Sequence, residues 1–110
     1  MAGSDELLIS SADEVPGRET TKVIGLVRGH SVRARNMIRD IQAGVRTIFG
    51  GRVGVYAELL EQAREEAIEE MVKSAISRGA NAVVATRLTT SQVMGGASEV
   101  VAYGTAVVLS

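Results

Sequence analysis

A chain of 110 residues with 45% hydrophobic side chains has the length of one domain and enough apolar material for an ordinary core. Its formal net charge of −1 gives no bulk attraction to nucleic acid or to a membrane surface, and the absence of cysteine excludes disulfides and thiolate metal sites. No apolar run nears the ~20 residues of a membrane span, and the start lacks the basic-then-apolar order of a signal peptide, so a cytoplasmic protein with no membrane partner is expected.

Residues 1–6 are small or charged and read as a disordered N-terminus, which leaves a single α/β domain over 7–110. Residues 7–11 form a short apolar run, read as a short strand. Pro16-Gly17 marks a turn, because proline presets its first corner and glycine tolerates the second. Residues 22–27, KVIGLV, are rich in β-branched side chains and predict a strand, in which Gly25 signals a bulge or a close backbone approach. RGHSV follows as a strand end or loop.

Residues 35–49 carry Met37, Ile38, Ile41, Val45, Ile48 and Phe49 on one helical face, with Arg39 and Arg46 opposite. This predicts a shorter helix, weakened at Gly44 and ended by Gly50-Gly51. Residues 54–79 predict the long helix on which the chain is laid. Tyr56, Leu59, Leu60, Ala63, Ala67, Met71 and Ala75 fall on one stripe among strong helix formers. Glu58 and Glu61 are expected near its positive dipole end, Lys73 and Arg78 near its negative end, and Gly79 as its left-handed exit. Residues 81–90 and 98–109 then read as strands around a turn with Gly95-Gly96 at its tip, an antiparallel hairpin.

A helical crossover returns the chain parallel to the strand it left, and the last strand of the hairpin can insert between the two parallel ones. The expected fold is α+β: a two-layer β-α-β-β sandwich, with an antiparallel sheet, one long helix and one shorter helix.

The uncovered face of such a sheet should be polar. In the last strand Val100, Ala102, Gly104, Ala106 and Val108 alternate with Val101, Tyr103, Thr105, Val107 and Leu109, and both sets are largely apolar. Val23 and Val27 oppose Ile24 and Leu26 in the same way. Ile68, Val72 and Ile76 add an apolar flank to the long helix. Surface of this kind marks a protein interface. Charge is divided as well. Arg28, Arg33, Arg35, Arg39, Arg46 and Arg52 face one acid, Asp40, within their stretch; Glu58, Glu61, Glu65, Glu66, Glu69 and Glu70 face one base, Arg64, within theirs. A basic and an acidic half on one subunit suit head-to-tail association, which closes into a ring.

VIGLVRGHSVRARNMIRDIQAGVRTIFGG, then Tyr56, Ala63-Arg64, Ala67 and Met71, then GANAVVATRLTTS and AYGTAV resemble the YbjQ-like family over nearly the whole chain. These are small bacterial proteins, uncharacterised, that often carry a heavy-metal-binding label. The resemblance implies a dodecin-subunit-like β-α-β-β fold and a ring, a homopentamer, whose extra short strands help to join subunits. It supplies no catalytic or ligand residues.

Heavy-metal sites need thiolate or imidazole ligands in groups. Here the only such residue is His30, and Met37, Met71 and Met94 are scattered. Copies of His30 or Glu99 around a ring axis would be the one route to a site. No metal site and no cofactor is therefore assigned. Nucleophilic catalysis would need a Ser or Cys beside a His with an orienting partner, and RGHSV lacks that pattern, so no catalytic residue is assigned. FGGRVGVY lacks the lysine of a phosphate loop. The arginines of RGHSVRAR are the remaining functional candidates: Arg33, Arg35 and Arg39 are anion-binding candidates. Nucleic acid is disfavoured as a partner, because no aromatics interleave with them, and pairing with a neighbour's glutamates is favoured instead. The expectation is a ring-forming, non-enzymatic homo-oligomer that binds a small ligand or partner at subunit junctions; anion or nucleic-acid binding and heavy-metal binding are the alternatives.

Overall fold

The computed structural model describes residues 7–31, 52–92 and 98–110. The N-terminus at 1–6, the shorter helix at 35–49 and the Gly95-Gly96 tip lie outside the described residues. The elements run β1 (Leu8–Ile9), β2 (Thr20–Ser31), α1 (Arg52–Ser77), β3 (Ala82–Gln92) and β4 (Ser98–Leu109).

The long helix begins at Arg52, ahead of the expected Gly54, and its exit is as the sequence predicts. Gly79 adopts φ 90, with Gly79 N–H donating to Ile76 O and Ala80 N–H to Ala75 O, both at 3.0 Å. This is the paired Schellman pattern, and Ala80 packs on the core beneath it. The dipole assignments do not hold. With these ends there is no acid in the first turn and no base in the last.

The sheet order is β1-β3-β4-β2, with β4 antiparallel to both β2 and β3. The last strand thus inserts between two parallel ones, as the crossover argument predicts. The fully antiparallel sheet is corrected: β1 pairs with β3 in parallel through Leu8↔Ala82 and Ile9↔Val83, so the sheet is mixed. The reason lies in the connection. β1 sits at one edge and β2 at the other, so residues 10–19 must cross the sheet instead of closing a hairpin. On the way Val15 packs over Ala82, Val84, Val107 and Leu109, a small second core on the face away from α1. The turn at Pro16-Gly17 forms there, with Gly17 at φ 82 and Arg18 N–H donating to Val15 O.

The main core lies between α1 and the sheet. Ala63, Ala67, Met71, Val72 and Ala75 of the helix bury against Val27, Val83, Val100, Ala102 and Ala106. The expected apolar flank is therefore mostly consumed: Val72 is buried, Ile68 packs on the core and only Ile76 stays exposed. Of the two readings of RGHSV, strand end or loop, the strand end holds: its first four residues continue β2 to Ser31, with Gly29 and Ser31 buried toward the helix and Arg28 and His30 exposed on the other face. Gly29 explains how. A Cβ there would run into Ala67 O and Met71 N of the helix backbone. Only glycine allows the helix to lie against the strand at this point, and the small Ala67 keeps the approach close.

Candidate functional site

Residues opposed in an antiparallel pair share one face of the sheet. On the face away from α1, the register sets Val23 beside Val107, Leu26 beside Thr105, Arg28 beside Tyr103 and His30 beside Val101. From β3 it adds Val84 beside Thr105, Arg87 beside Tyr103 and Thr89 beside Val101. Val107 and Val84 are buried beneath Val15. Beyond that cover the face is open, and its most exposed large apolar residues are Val23, at 65% accessibility, and Leu26, at 60%.

The alternation read from the sequence placed Val23 with Val27 and opposite Leu26. The structure corrects this. A register shift at Gly25, φ 137, inserts one extra residue into β2, so Val23 and Leu26 share the open face while Ile24 and Val27 meet the core. The signal was present in Gly25; its consequence for the residues before it was not. The apolar face expected on β4 is also shorter, because Val15 covers Val107 and Leu109.

Arg28 and Arg87 flank Tyr103 in one row across the three strands. Arg87 is committed locally, its guanidinium donating to Ser11 O at 2.9 Å and Thr86 O at 3.0 Å. Arg33, Arg35 and Arg39 lie outside the described residues. At the far end of the open face His30 Nδ1 stands 3.2 Å from Glu99 Oε2. The sequence named His30 and Glu99 separately, as copies around an axis; the fold brings them together within one copy.

Among the described residues the donor set does not fit a heavy metal held by a single chain. There is no cysteine and one histidine, Met71 is sealed in the core, and among the described residues no group of three or more His, Asp or Glu converges. A His–Glu pair alone falls short of the ligand number that such ions take. Elsewhere, Glu14, Arg18, Glu19 and Thr20 line a hollow of about 310 Å³. Its arginine is engaged, Arg18 Nε donating to Ser110 O at 2.9 Å. Among the described residues no helix is long and apolar enough to cross a membrane.

Comparison with known proteins agrees with the fold and adds the lineage. A family model described as "Putative heavy-metal-binding", YbjQ, matches residues 7–110. A UPF0145 protein of Archaeoglobus fulgidus is 48% identical over 102 residues, covering 93% of this chain and 94% of the relative. One of Methanosarcina acetivorans is 46% identical over 101 residues, covering 92% and 95%. One of Psychromonas ingrahamii is 46% identical over 103 residues, covering 94% and 98%. These relatives span archaea as well as bacteria, and none of the three carries an enzyme's name. A crystal structure of a protein of unknown function from Pediococcus pentosaceus, of the DUF74 family, superposes with a TM-score of 0.55 at 14% identity, covering 94% of this chain and 98% of that one; this likeness is one of fold. With nearly its whole length matched by the family model and by relatives close to half identical, the chain belongs to the YbjQ family.

Proposed function

We propose that this protein is a self-assembling, non-enzymatic module whose copies meet through the open sheet face and form a closed ring, with a small ligand or partner held at the junctions. The observation that carries this reading is the exposure of Val23 and Leu26 side by side on β2. Two large aliphatic side chains on a sheet face are stabilised by a covering surface, at roughly 25 cal/mol for each Å² removed from water. Charge supports a head-to-tail contact over a face-to-face one. The open face carries Arg28 and Arg87, and two such faces would oppose like charges. The exposed outer surface of α1 carries Glu58, Glu61, Glu65 and Glu69, which complements them. Among the described residues, Glu61 is the one of these in an ion pair, with Arg64 at 3.2 Å.

Native mass spectrometry of the purified protein tests this. The wild type is expected as a single closed oligomer retaining a small-molecule mass, and Leu26→Asp as a folded single copy without it. A wild type that flies as one copy, with no retained mass, would overturn the proposal. Anion or nucleic-acid binding through Arg33, Arg35 and Arg39 is the second reading, favoured by the placement of Arg28 beside the aromatic ring of Tyr103. It requires a salt-dependent shift with a labelled oligonucleotide, and no shift at low salt would end it.

A further inference from the structure

β2 is a 12-residue strand at the edge of the sheet, and among the described residues no strand lies beside its outer backbone groups. A strand of this length that also bears Val23 and Leu26 is a template for pairing with a second chain. Three of its outer groups are nevertheless taken, and by side chains of the helical unit. Glu70 Oε1 accepts from His30 N–H at 2.6 Å. The Arg78 guanidinium donates to Leu26 O at 2.8 Å and to Ile24 O at 3.4 Å. N–H and C=O of alternate residues point to the same side of a strand. Arg28 therefore presents its own N–H and C=O to that outer side, between two capped stretches. The Glu70 cap depends on Gly29, which lets α1 lie against the strand and brings Glu70 within reach, while the Arg78 guanidinium lies over Gly25.

We propose that Arg78 and Glu70 form a latch over the outer edge of β2, which prevents antiparallel pairing with β2 of a second copy. The occupant excluded is a copy of this chain, because β2 already forms an antiparallel ladder through its other edge and an added β2 would continue the same sheet. The side chains at the gap agree, since antiparallel pairing centred on Arg28 would set two arginines opposite each other. The latch is independent of the open-face contact proposed above: it acts on the edge of the strand, not on its face.

The test uses Leu26→Asp as background, so that loss of the face contact and release of the edge are read separately. Adding Arg78→Ala and Glu70→Ala is expected to make the protein associate into β-rich species, seen by sedimentation and thioflavin fluorescence, with a gain of about tenfold or more, the factor that loss of one charge-assisted hydrogen bond implies. Arg28→Pro in the same chain removes the outward N–H without touching the ladder with β4, and is expected to abolish the gain. A folded triple variant that sediments as Leu26→Asp alone does would overturn the proposal, as would undiminished association with Arg28→Pro present. Should the triple variant not fold, amide exchange in the wild type decides: His30 N–H is expected to be protected and Arg28 N–H to exchange fast, and the reverse order would overturn the latch.

Discussion

β2 serves two faces with alternate residues, and the two are closed by different means. Toward α1 it presents Val27, Gly29 and Ser31, all buried. There the helix backbone touches the strand backbone, and Ser31 Oγ donates to Glu66 Oε1 at 3.0 Å. Away from α1 it presents Val23, Leu26, Arg28 and His30, all exposed. The covered face is complete within one copy and has no room left. The open face is made of large side chains that still have surface to lose. On the function proposed above, stability and assembly belong to opposite sides of the same strand, and substitutions should separate them.

The largest effect belongs to the covered face. Gly29→Ala places a methyl group against Ala67 O and Met71 N, which are backbone atoms and cannot rotate away. It is expected to destabilise the subunit by about 3 kcal/mol through overpacking, read by urea unfolding. A loss below about 1 kcal/mol would mean that the helix is not seated as described.

A smaller effect of opposite sign is expected in β3, where α1 gives little cover. Ala85 adopts φ 53 in the register shift between Val84 and Arg87, with its N–H held by Ala12 O at 2.9 Å. An alanine in the left-handed region is strained, and glycine is not. Ala85→Gly is expected to raise the stability by about 0.5 kcal/mol. A drop in stability would place the strain elsewhere.

The smallest effect on the subunit itself is expected on the open face. Leu26→Asp should change its unfolding free energy by less than about 0.5 kcal/mol, because the side chain has little to lose within one copy. Its effect on mass in solution should be large. A substitution that unfolds the subunit would break the contrast between the faces.

Much of this contrast was legible in the residues. The strand order followed from the helical crossover and the antiparallel pairing of the last two strands, and the helix exit from Gly79. Gly25 signalled its bulge. What the bulge does was not legible, because the position of the extra residue depends on how β2 pairs with β4. Simple alternation put Val23 and Leu26 on opposite faces for that reason. Gly29 passed unnoticed within RGHSV, since its role appears only when the helix is laid on it. The crossing of the sheet by residues 10–19 was equally hidden. Val15 is the one large apolar residue of a mostly polar segment, and only the topology gives it Val107 and Leu109 to cover. The pairing of His30 with Glu99 joins residues 69 positions apart, a distance no local pattern spans.

Sedimentation velocity of the wild-type protein over a range of micromolar concentrations measures the central claim most directly. Copies that shelter one another's open face predict a single species at a whole-number multiple of the 11.6 kDa chain. A lone species at 11.6 kDa across that range, with Val23 and Leu26 left in water, would contradict it.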